Sequence, residues 1–273
     1  MSSFQILCVT MFQKDFSKLE KMNIHSDIIF ANQCDKNSDE TIEFDNHKAR
    51  MISTATRGVG INRNFTLQYA DADICLLSDD DIVYSDDVEL KIVKEFELHP
   101  DADIILFHLN STDSSRSVKK PDKAIRLRKW SRLPWGGAHV AFRLQSIRKA
   151  NIWFTTLFGG GCIFPSGEDS IWLIEAKRKG LVLYASTETI GTVDMSNSSW
   201  YTGADERYYY GKGAFYQAVR PQFCFFWRMY FALRTYSHKE IGFFDKLKWM
   251  KYGAKGYQSF LSFDQFCAKM IFK

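Results

Sequence analysis

The chain has 273 residues, of which 45% are hydrophobic and 25% are charged, with a formal net charge of +4. This length and composition exclude a disordered or collagen-like chain and predict one large globular domain, or a domain with an appendage. No run reaches the roughly 18 apolar residues that a membrane-spanning helix needs, and the first residues lack the basic start and apolar run of a signal peptide. We therefore expect a cytoplasmic protein.

Two regions of opposite charge make up the sequence. Residues 211–273 carry eleven Lys or Arg against three acids, so this segment has a net charge of +8 and residues 1–210 have −4. The segment also holds eighteen of the 42 aromatic residues. We predict a catalytic domain over residues 1–210 and a basic, aromatic, helical segment over residues 211–273 that contacts a binding partner or a membrane surface.

Short apolar runs alternate with helical patterns over the first 110 residues. The predicted strands are residues 4–10, 27–31, 74–77 and 103–109, and the predicted helices between them are residues 15–22, 61–70 and 88–99. Residues 44–54 fit either a strand or a helix, and residues 181–185 are predicted to form a last strand. This order favours an α/β protein with a mostly parallel, doubly wound sheet.

Three consecutive carboxylates, Asp79, Asp80 and Asp81, follow the apolar run at residues 74–77. Open α/β sheets bind their ligands at the carboxyl ends of such strands. Adjacent carboxylates repel one another, so they are stable together only when they are well solvated or when a cation such as Mg²⁺ neutralises them. The triplet alone leaves both a metal site and a solvated acidic turn open.

Two further polar groups stand at predicted helix starts. Arg57 and Arg63 flank a glycine turn, a position suited to holding phosphate or the acid cluster, although a surface arginine pair would look the same. Glu168 and Asp169 follow a glycine-rich loop at residues 158–167 and open a helix. These two acids either cap that helix or take part in catalysis.

Four motifs, in this order, resemble those of family 2 glycosyltransferases with the GT-A fold, especially bacterial enzymes that build capsule and other surface polysaccharides. They are Val9-Thr10, Arg57-Gly58-Val59-Gly60 with Arg63-Asn64, Ser78-Asp79-Asp80-Asp81, and Gly167-Glu168-Asp169. The resemblance covers roughly residues 4–195. It implies a GT-A, Rossmann-like, mixed and mostly parallel sheet flanked by helices. It also implies a nucleotide-sugar donor, usually a UDP-sugar, a Mn²⁺ or Mg²⁺ ion, and inversion at the anomeric carbon.

The resemblance also implies donor and metal contacts. Asp81 and Asp79 are the expected metal ligands, and Asp79 or Asp80 is expected at the ribose or the water shell of the metal. The remaining donor-binding residues are expected to be Thr10, Asn32, Arg57 and Arg63. Asn32 stands where the family commonly has an Asp that recognises uracil, and Val9-Thr10-Met11-Phe12 replaces the usual Pro-Thr-Tyr-Asn. A base other than uracil therefore stays open.

The acceptor side follows from the same resemblance. Asp169 matches the usual general base, which takes the proton of the attacking hydroxyl, and Glu168 accompanies it as a second catalytic residue. Trp135, His139 and Gly160 are expected near the acceptor.

The C-terminal segment leaves two interpretations open. Residues 223–233 are apolar and aromatic but contain Arg228 and are too short to span a bilayer, and residues 243–251 mix aromatic and basic residues. Such a segment suits an anionic membrane surface, which would place the protein on the inner face of the plasma membrane. It also suits a helical subdomain that buries its aromatic residues. The acidic body argues against nucleic-acid binding.

Together these features predict a metal-dependent, inverting glycosyltransferase. It would move a sugar from a nucleotide diphosphate sugar to a hydroxyl of a growing, lipid-linked surface polysaccharide. One alternative is a non-catalytic, glycan-binding relative of the same fold. Another is a metal-dependent nucleotidyltransferase, which would release pyrophosphate instead of a nucleoside diphosphate.

Overall fold

The computed structural model describes residues 2–112, 120–128, 139–194, 203–237 and 240–271. The chain divides into two compact units, Met1–Thr155 with Asp169–Asn197, and Thr156–Glu168 with Ser198–Lys273. This division differs from a boundary after residue 210, because a helix already begins at Glu206 and because residues 156–168 pack with the C-terminal helices. A functional division at residue 210 stays a prediction.

A mixed β-sheet forms the core of the first unit. Its strands are β1 (Phe4–Met11), β2 (Asp27–Gln33), β3 (Ser38–Phe44), β4 (His47–Thr54), β5 (Ile74–Asp79), β6 (Ile82–Tyr84), β7 (Ile104–Ser111), β8 (Ile125–Leu127), β9 (Val140–Arg143) and β10 (Leu183–Val193). Their order is β3-β4-β2-β1-β5-β9-β7-β10-β6, and β8 pairs with β10.

Parallel pairing dominates the centre of this sheet. Strand β1 pairs in parallel with β2 and β5, β2 with β4, and β7 with β10, whereas β9 runs antiparallel between β5 and β7. Ile6, Leu7 and Cys8 of β1 are fully buried, as expected for a strand covered on both faces. The predicted mixed, mostly parallel sheet is confirmed.

The ambiguous residues 44–54 belong to a hairpin. Strands β3 and β4 pair antiparallel around Asp45 and Asn46, whose φ angles are 44° and 65°. Asp and Asn tolerate this left-handed conformation and are typical of two-residue hairpin turns. Strand β3 is polar and exposed because it lies at the sheet edge.

Five helices accompany these strands in chain order. They are α1 (Lys18–Lys21), α2 (Val59–Tyr69), α3 (Val88–Leu98), α4 (Leu144–Ala150) and α5 (Glu168–Arg178). Helix α1 is shorter than the predicted residues 15–22. The Asp15 carboxylate accepts a hydrogen bond from the Ser17 backbone N–H at 2.9 Å, which forms a turn instead of the first helical turn.

Four helices form most of the second unit. They are α6 (Glu206–Val219), α7 (Cys224–Arg234), α8 (Phe243–Gln258) and α9 (Phe263–Ile271). Helices α6 and α8 pack closely because Gly213 faces the Met250 backbone and Gly253 faces the Tyr210 backbone, where a Cβ atom would clash. Within the described ranges, none of the helices is long and apolar enough to cross a membrane.

Candidate active site

The three acids lie at the carboxyl end of β5. The strand ends at Asp79 and β6 begins at Ile82, so Asp80 and Asp81 form the turn between them. The Tyr84 hydroxyl donates to Ser78 Oγ at 2.8 Å, and Ser78 Oγ donates to the Asp79 carbonyl at 3.0 Å. This buried chain of hydrogen bonds fixes the backbone beneath the acidic turn.

Two of the three carboxylates have partners. Thr10 Oγ1 donates to Asp80 Oδ2 at 2.5 Å, and Lys18 Nζ lies 3.1 Å from the same oxygen and 2.8 Å from the Asp80 carbonyl. Arg63 Nη2 donates to Asp79 Oδ1 at 3.1 Å. Thr10 and Arg63 therefore contact the acid cluster directly.

Asp81 is the solvent-exposed acid of the turn. Partial desolvation raises the pKa of Asp81 to about 6, and the carboxylates of Asp79 and Asp80 add to the rise. Lost hydration and two neighbouring negative charges both disfavour the ionised carboxylate of Asp81. A cation bound at Asp81 would offset both effects.

Arg63 links this turn to the start of α5. Its side chain is 2% exposed, and its Nη1 atom forms an ion pair with Asp169 Oδ1 while Nη2 contacts Asp79. The guanidinium also lies 5.2 Å from the centre of the Phe154 ring. A buried arginine whose two terminal nitrogen atoms contact different carboxylates beside an aromatic ring has little freedom to move.

Helix α5 holds Asp169 in place through its buried face. Trp172 stacks on Phe154 at 5.1 Å between nearly parallel rings and contacts Phe142 at 5.6 Å. Leu173 and Ala176 of the same helix are fully buried. The Asp169 side chain, 20% exposed, therefore reaches solvent from a helix whose position is set by packing.

Glu168 differs from Asp169 in its surroundings. It is buried, and its Oε2 atom accepts a hydrogen bond from the Gly167 backbone N–H at 3.0 Å. The Glu168 carboxylate is thus occupied by its neighbouring backbone. Of the two acids, Asp169 has the more accessible carboxylate. A catalytic role for either residue stays a prediction.

Asn32 is fully buried and uses its amide inside the protein. Its Oδ1 atom accepts from the Gln13 backbone N–H, and its Nδ2 atom donates to the Gln13 carbonyl and to Ser53 Oγ, all at 3.0 Å. An Asp could not make the two donations. This explains the departure from the family's Asp, and it shows that the side chain positions Gln13 and the adjoining loop.

The substitution Asn32→Asp is expected to lower the free energy of unfolding by about 2–4 kcal/mol, because it buries a carboxylate against a carbonyl oxygen. Urea unfolding would measure the change. Asn37→Asp is the matched control, since Asn37 is exposed and uses only its carbonyl oxygen, as an acceptor from the Ala55 N–H at 2.9 Å. Equal stability of both variants would contradict the assignment.

Arg57 lies beside an exposed aromatic residue. Its guanidinium donates to Asp35 Oδ1 at 2.5 Å and to the Cys34 carbonyl at 2.7 Å, and it lies 5.4 Å from the centre of the Phe12 ring. Phe12 is 56% exposed and has a φ angle of 53°. The flat ring of Phe12 therefore lies exposed to solvent at the end of β1, next to the guanidinium group of Arg57.

The three predicted acceptor residues have different outcomes. Trp135 lies outside the described residues. Burial, together with His108 and Arg63, lowers the pKa of His139 to about 3, so this imidazole is neutral near pH 7. Gly160 lies in a short loop that is closed by the Gly159 N–H to Phe164 carbonyl hydrogen bond at 2.8 Å. Contact with an acceptor stays a prediction for each.

The donor set fits a hard divalent cation in part. Among the described residues, no group of three or more His, Cys, Asp or Glu side chains is arranged to hold a metal ion. Mg²⁺ and similar ions, however, commonly use one or two carboxylates and complete their coordination with water and substrate phosphates. Asp81, which is exposed and is repelled by its neighbours, could serve as one such carboxylate, and a metal at Asp81 and Asp79 stays a prediction.

Lys18 is a site residue that the sequence analysis missed. It lies on the one-turn helix α1 and contacts both the carboxylate and the carbonyl of Asp80. A lysine in a polar stretch after a strand carries no signal of its own, so only the fold reveals this contact. Its charge offsets part of the repulsion within the acidic turn.

Comparisons with known proteins bear on the family and the fold of the chain. A model of glycosyl transferase family 2 matches residues 20–163, more than half of the chain. A search of curated protein sequences finds no match.

Solved structures of S. aureus TarS show a similar fold. TarS 1-349 has a TM-score of 0.60 at 11% sequence identity, with 96% of this chain and 93% of that chain covered. The same TarS fragment in complex with UDP-GlcNAc and with UDP gives TM-scores of 0.59 and 0.60 at 12% identity, over the same shares of both chains. At this identity the likeness shows the fold alone, a GT-A, Rossmann-like fold. The family match over more than half of its residues shows that the chain belongs to glycosyl transferase family 2.

Proposed function

We propose that this glycosyltransferase is metal-dependent and inverting, and that it transfers a sugar from a nucleotide diphosphate sugar to a hydroxyl of a surface glycan. The acceptor in this proposal is lipid-linked. The observation that carries the proposal is the buried Arg63, whose guanidinium contacts Asp79 of the acidic turn and Asp169 of α5 at once. A donor-side acid and the candidate base are thereby held within the span of one side chain.

The proposed reaction assigns a task to each of these residues. Asp81 and Asp79 would hold the metal, which when bound neutralises charge on the diphosphate as the sugar departs. Asp169 takes the proton from the acceptor hydroxyl while that oxygen attacks the anomeric carbon. The new carbon–oxygen bond forms on the face opposite the leaving diphosphate, whose bond to the same carbon breaks, so the configuration inverts. Arg63 orients Asp169 and Asp79, and Thr10 and Lys18 hold Asp80.

For the donor, we propose a uridine diphosphate sugar, with UDP-GlcNAc as the first compound to test because TarS binds it in one of the similar structures. The exposed Phe12 ring beside Arg57 offers a flat surface suited to a base. Asn32 supports this surface through the backbone of Gln13, to which its amide both donates and accepts.

Thermal unfolding with a panel of nucleotides tests the donor and the metal together. A donor at about 100 times its dissociation constant is expected to stabilise the fold by roughly 2.7 kcal/mol in the presence of Mn²⁺ or Mg²⁺, and a chelator should abolish the effect. Asp81→Asn is expected to lose this metal-dependent stabilisation. Asp45→Asn, the same change in the exposed turn of the β3–β4 hairpin, should keep it.

The products separate the proposal from its alternatives. Release of a nucleoside diphosphate from a nucleotide sugar, with Mn²⁺ or Mg²⁺ present, would support glycosyl transfer. Release of pyrophosphate from a nucleoside triphosphate would support a nucleotidyltransferase. If no nucleotide or nucleotide sugar changes the unfolding temperature, the non-catalytic, glycan-binding alternative gains support.

A further inference from the structure

Helix α7 presents apolar side chains to solvent along one face. At 3.6 residues per turn, positions 225, 226, 229, 230 and 233 fall within an arc of about 140°. Phe225, Phe226 and Leu233 on this face are 59%, 68% and 58% exposed, and Tyr230 is also exposed. Exposure of several large apolar residues side by side marks an interaction surface, unlike a single exposed residue.

The opposite face of α7 holds the helix in its own unit. Ala232 is fully buried and Cys224 is buried. The Phe231 ring contacts the rings of Tyr208, Tyr209 and Tyr216 of α6, with centroid distances of 6.2, 6.3 and 5.8 Å. Because this face supplies the packing, burial within the unit does not account for the exposed side chains of Phe225, Phe226 and Leu233.

A basic residue borders the apolar face at one edge. On the helical projection the exposed Arg234 falls about 40° beyond Tyr230, whereas the half-buried Arg228 falls between the buried residues Cys224 and Ala232. The sequence has no acid between Glu206 and Glu240, so no carboxylate of this stretch neutralises the arginines. An apolar face with an exposed arginine at its edge, in a stretch without acids, suits an anionic lipid surface, where the rings enter the acyl boundary and the guanidinium group reaches the phosphates.

We propose that the exposed face of α7 is a docking surface for an anionic lipid bilayer, with the helix lying in the plane of the interface. A second copy of the chain is a poorer occupant, since a symmetric contact between two α7 faces would bring arginines together with no acid on either helix. The proposal goes beyond sugar transfer and requires no donor or metal. With eleven residues, α7 lies on the bilayer and does not cross it.

Vesicle flotation of the full chain tests the proposal. Binding to vesicles with about a third phosphatidylglycerol is expected to exceed binding to pure phosphatidylcholine vesicles by a factor of ten or more, because each basic residue at such a surface raises affinity roughly fivefold. Leu233→Glu and Phe226→Glu are each expected to weaken binding to the anionic vesicles at least about tenfold.

Leu90→Glu is the matched control, because Leu90 is a 61% exposed leucine on α3, outside the proposed surface. All three variants should keep the parent unfolding temperature and the parent rate of donor hydrolysis in solution. Equal binding of the parent protein to both vesicle types would overturn the proposal, as would full binding by Leu233→Glu. A parent dimer that Leu233→Glu dissociates would identify a second copy as the occupant instead. The vesicle-binding and dimer outcomes do not depend on whether the protein transfers sugar.

Discussion

Replacing Asp169 with Asn is expected to reduce sugar transfer by roughly 10²–10⁴-fold while donor binding stays at the parent level. An amide of the same shape still accepts a hydrogen bond from Arg63, but it cannot take the proton of the acceptor hydroxyl, and a positioned general base contributes a factor of that size. Initial rates of nucleoside diphosphate release with acceptor present would measure transfer. The donor-induced shift in unfolding temperature would measure binding.

The matched control for this prediction is Asp205→Asn. Asp205 is the N-cap of α6 and accepts the Tyr208 N–H at 2.8 Å, a contact that Asn can also make. If Asp169 merely caps α5, both substitutions should leave the rate of sugar transfer unchanged. Transfer at the parent rate by Asp169→Asn would show that the base lies elsewhere, and Glu168→Gln would then be the next variant to measure.

The sequence predicts the parallel centre of the sheet and the acidic turn because both depend on local pattern. A run of apolar residues marks β5, and the acids that follow mark its end, whatever the rest of the chain does. The β3–β4 hairpin is harder to recognise, since β3 is a polar edge strand with little apolar alternation. Its Asp45-Asn46 turn is the signal that would have identified it.

Site contacts between residues that are far apart in the sequence could not be predicted from local sequence patterns. Lys18 reaches Asp80 across 62 positions, and Arg63 reaches Asp169 across more than a hundred, so neither pair has a fixed spacing that marks it. Asn32 shows a related limit. Its place in the chain suggests contact with the base, whereas its amide is used by Gln13 and Ser53, two partners that only the fold brings within 3.0 Å.

Arg63 gives the second large expected effect, because this one side chain contacts two acids that are proposed to have different tasks. Arg63→Met is expected to lower the free energy of unfolding by about 3 kcal/mol, since it removes a buried charge from two carboxylates that remain. Arg63→Lys keeps the charge but cannot direct two separate donors in the fixed geometry of a guanidinium. We therefore expect the Arg63→Lys variant to fold and to transfer sugar roughly 100-fold more slowly, because a small misplacement of a catalytic group can reduce the rate by that factor.

Arg50→Lys is the control that shows whether an effect comes from the place of Arg63 in the site or from the change of arginine to lysine as such. Arg50 also binds a carboxylate through two nitrogen atoms, at 2.8 and 2.6 Å from Asp39, and lies 4.5 Å from the centre of the Tyr69 ring. It lies near the exposed sheet edge, so its loss is expected to cost less than about 1 kcal/mol and to leave transfer unchanged.

The pattern across variants then tests the role of Arg63 as the link between the two acids. Asp81→Asn should lose metal-dependent donor binding, Asp169→Asn should lose turnover alone, and Arg63→Lys should lose part of both. A donor titration by thermal unfolding and a turnover assay at saturating donor would separate the two effects. If Arg63→Lys lowers stability without changing either one, the arginine serves the fold only. The acidic turn and the base would then be positioned independently of each other.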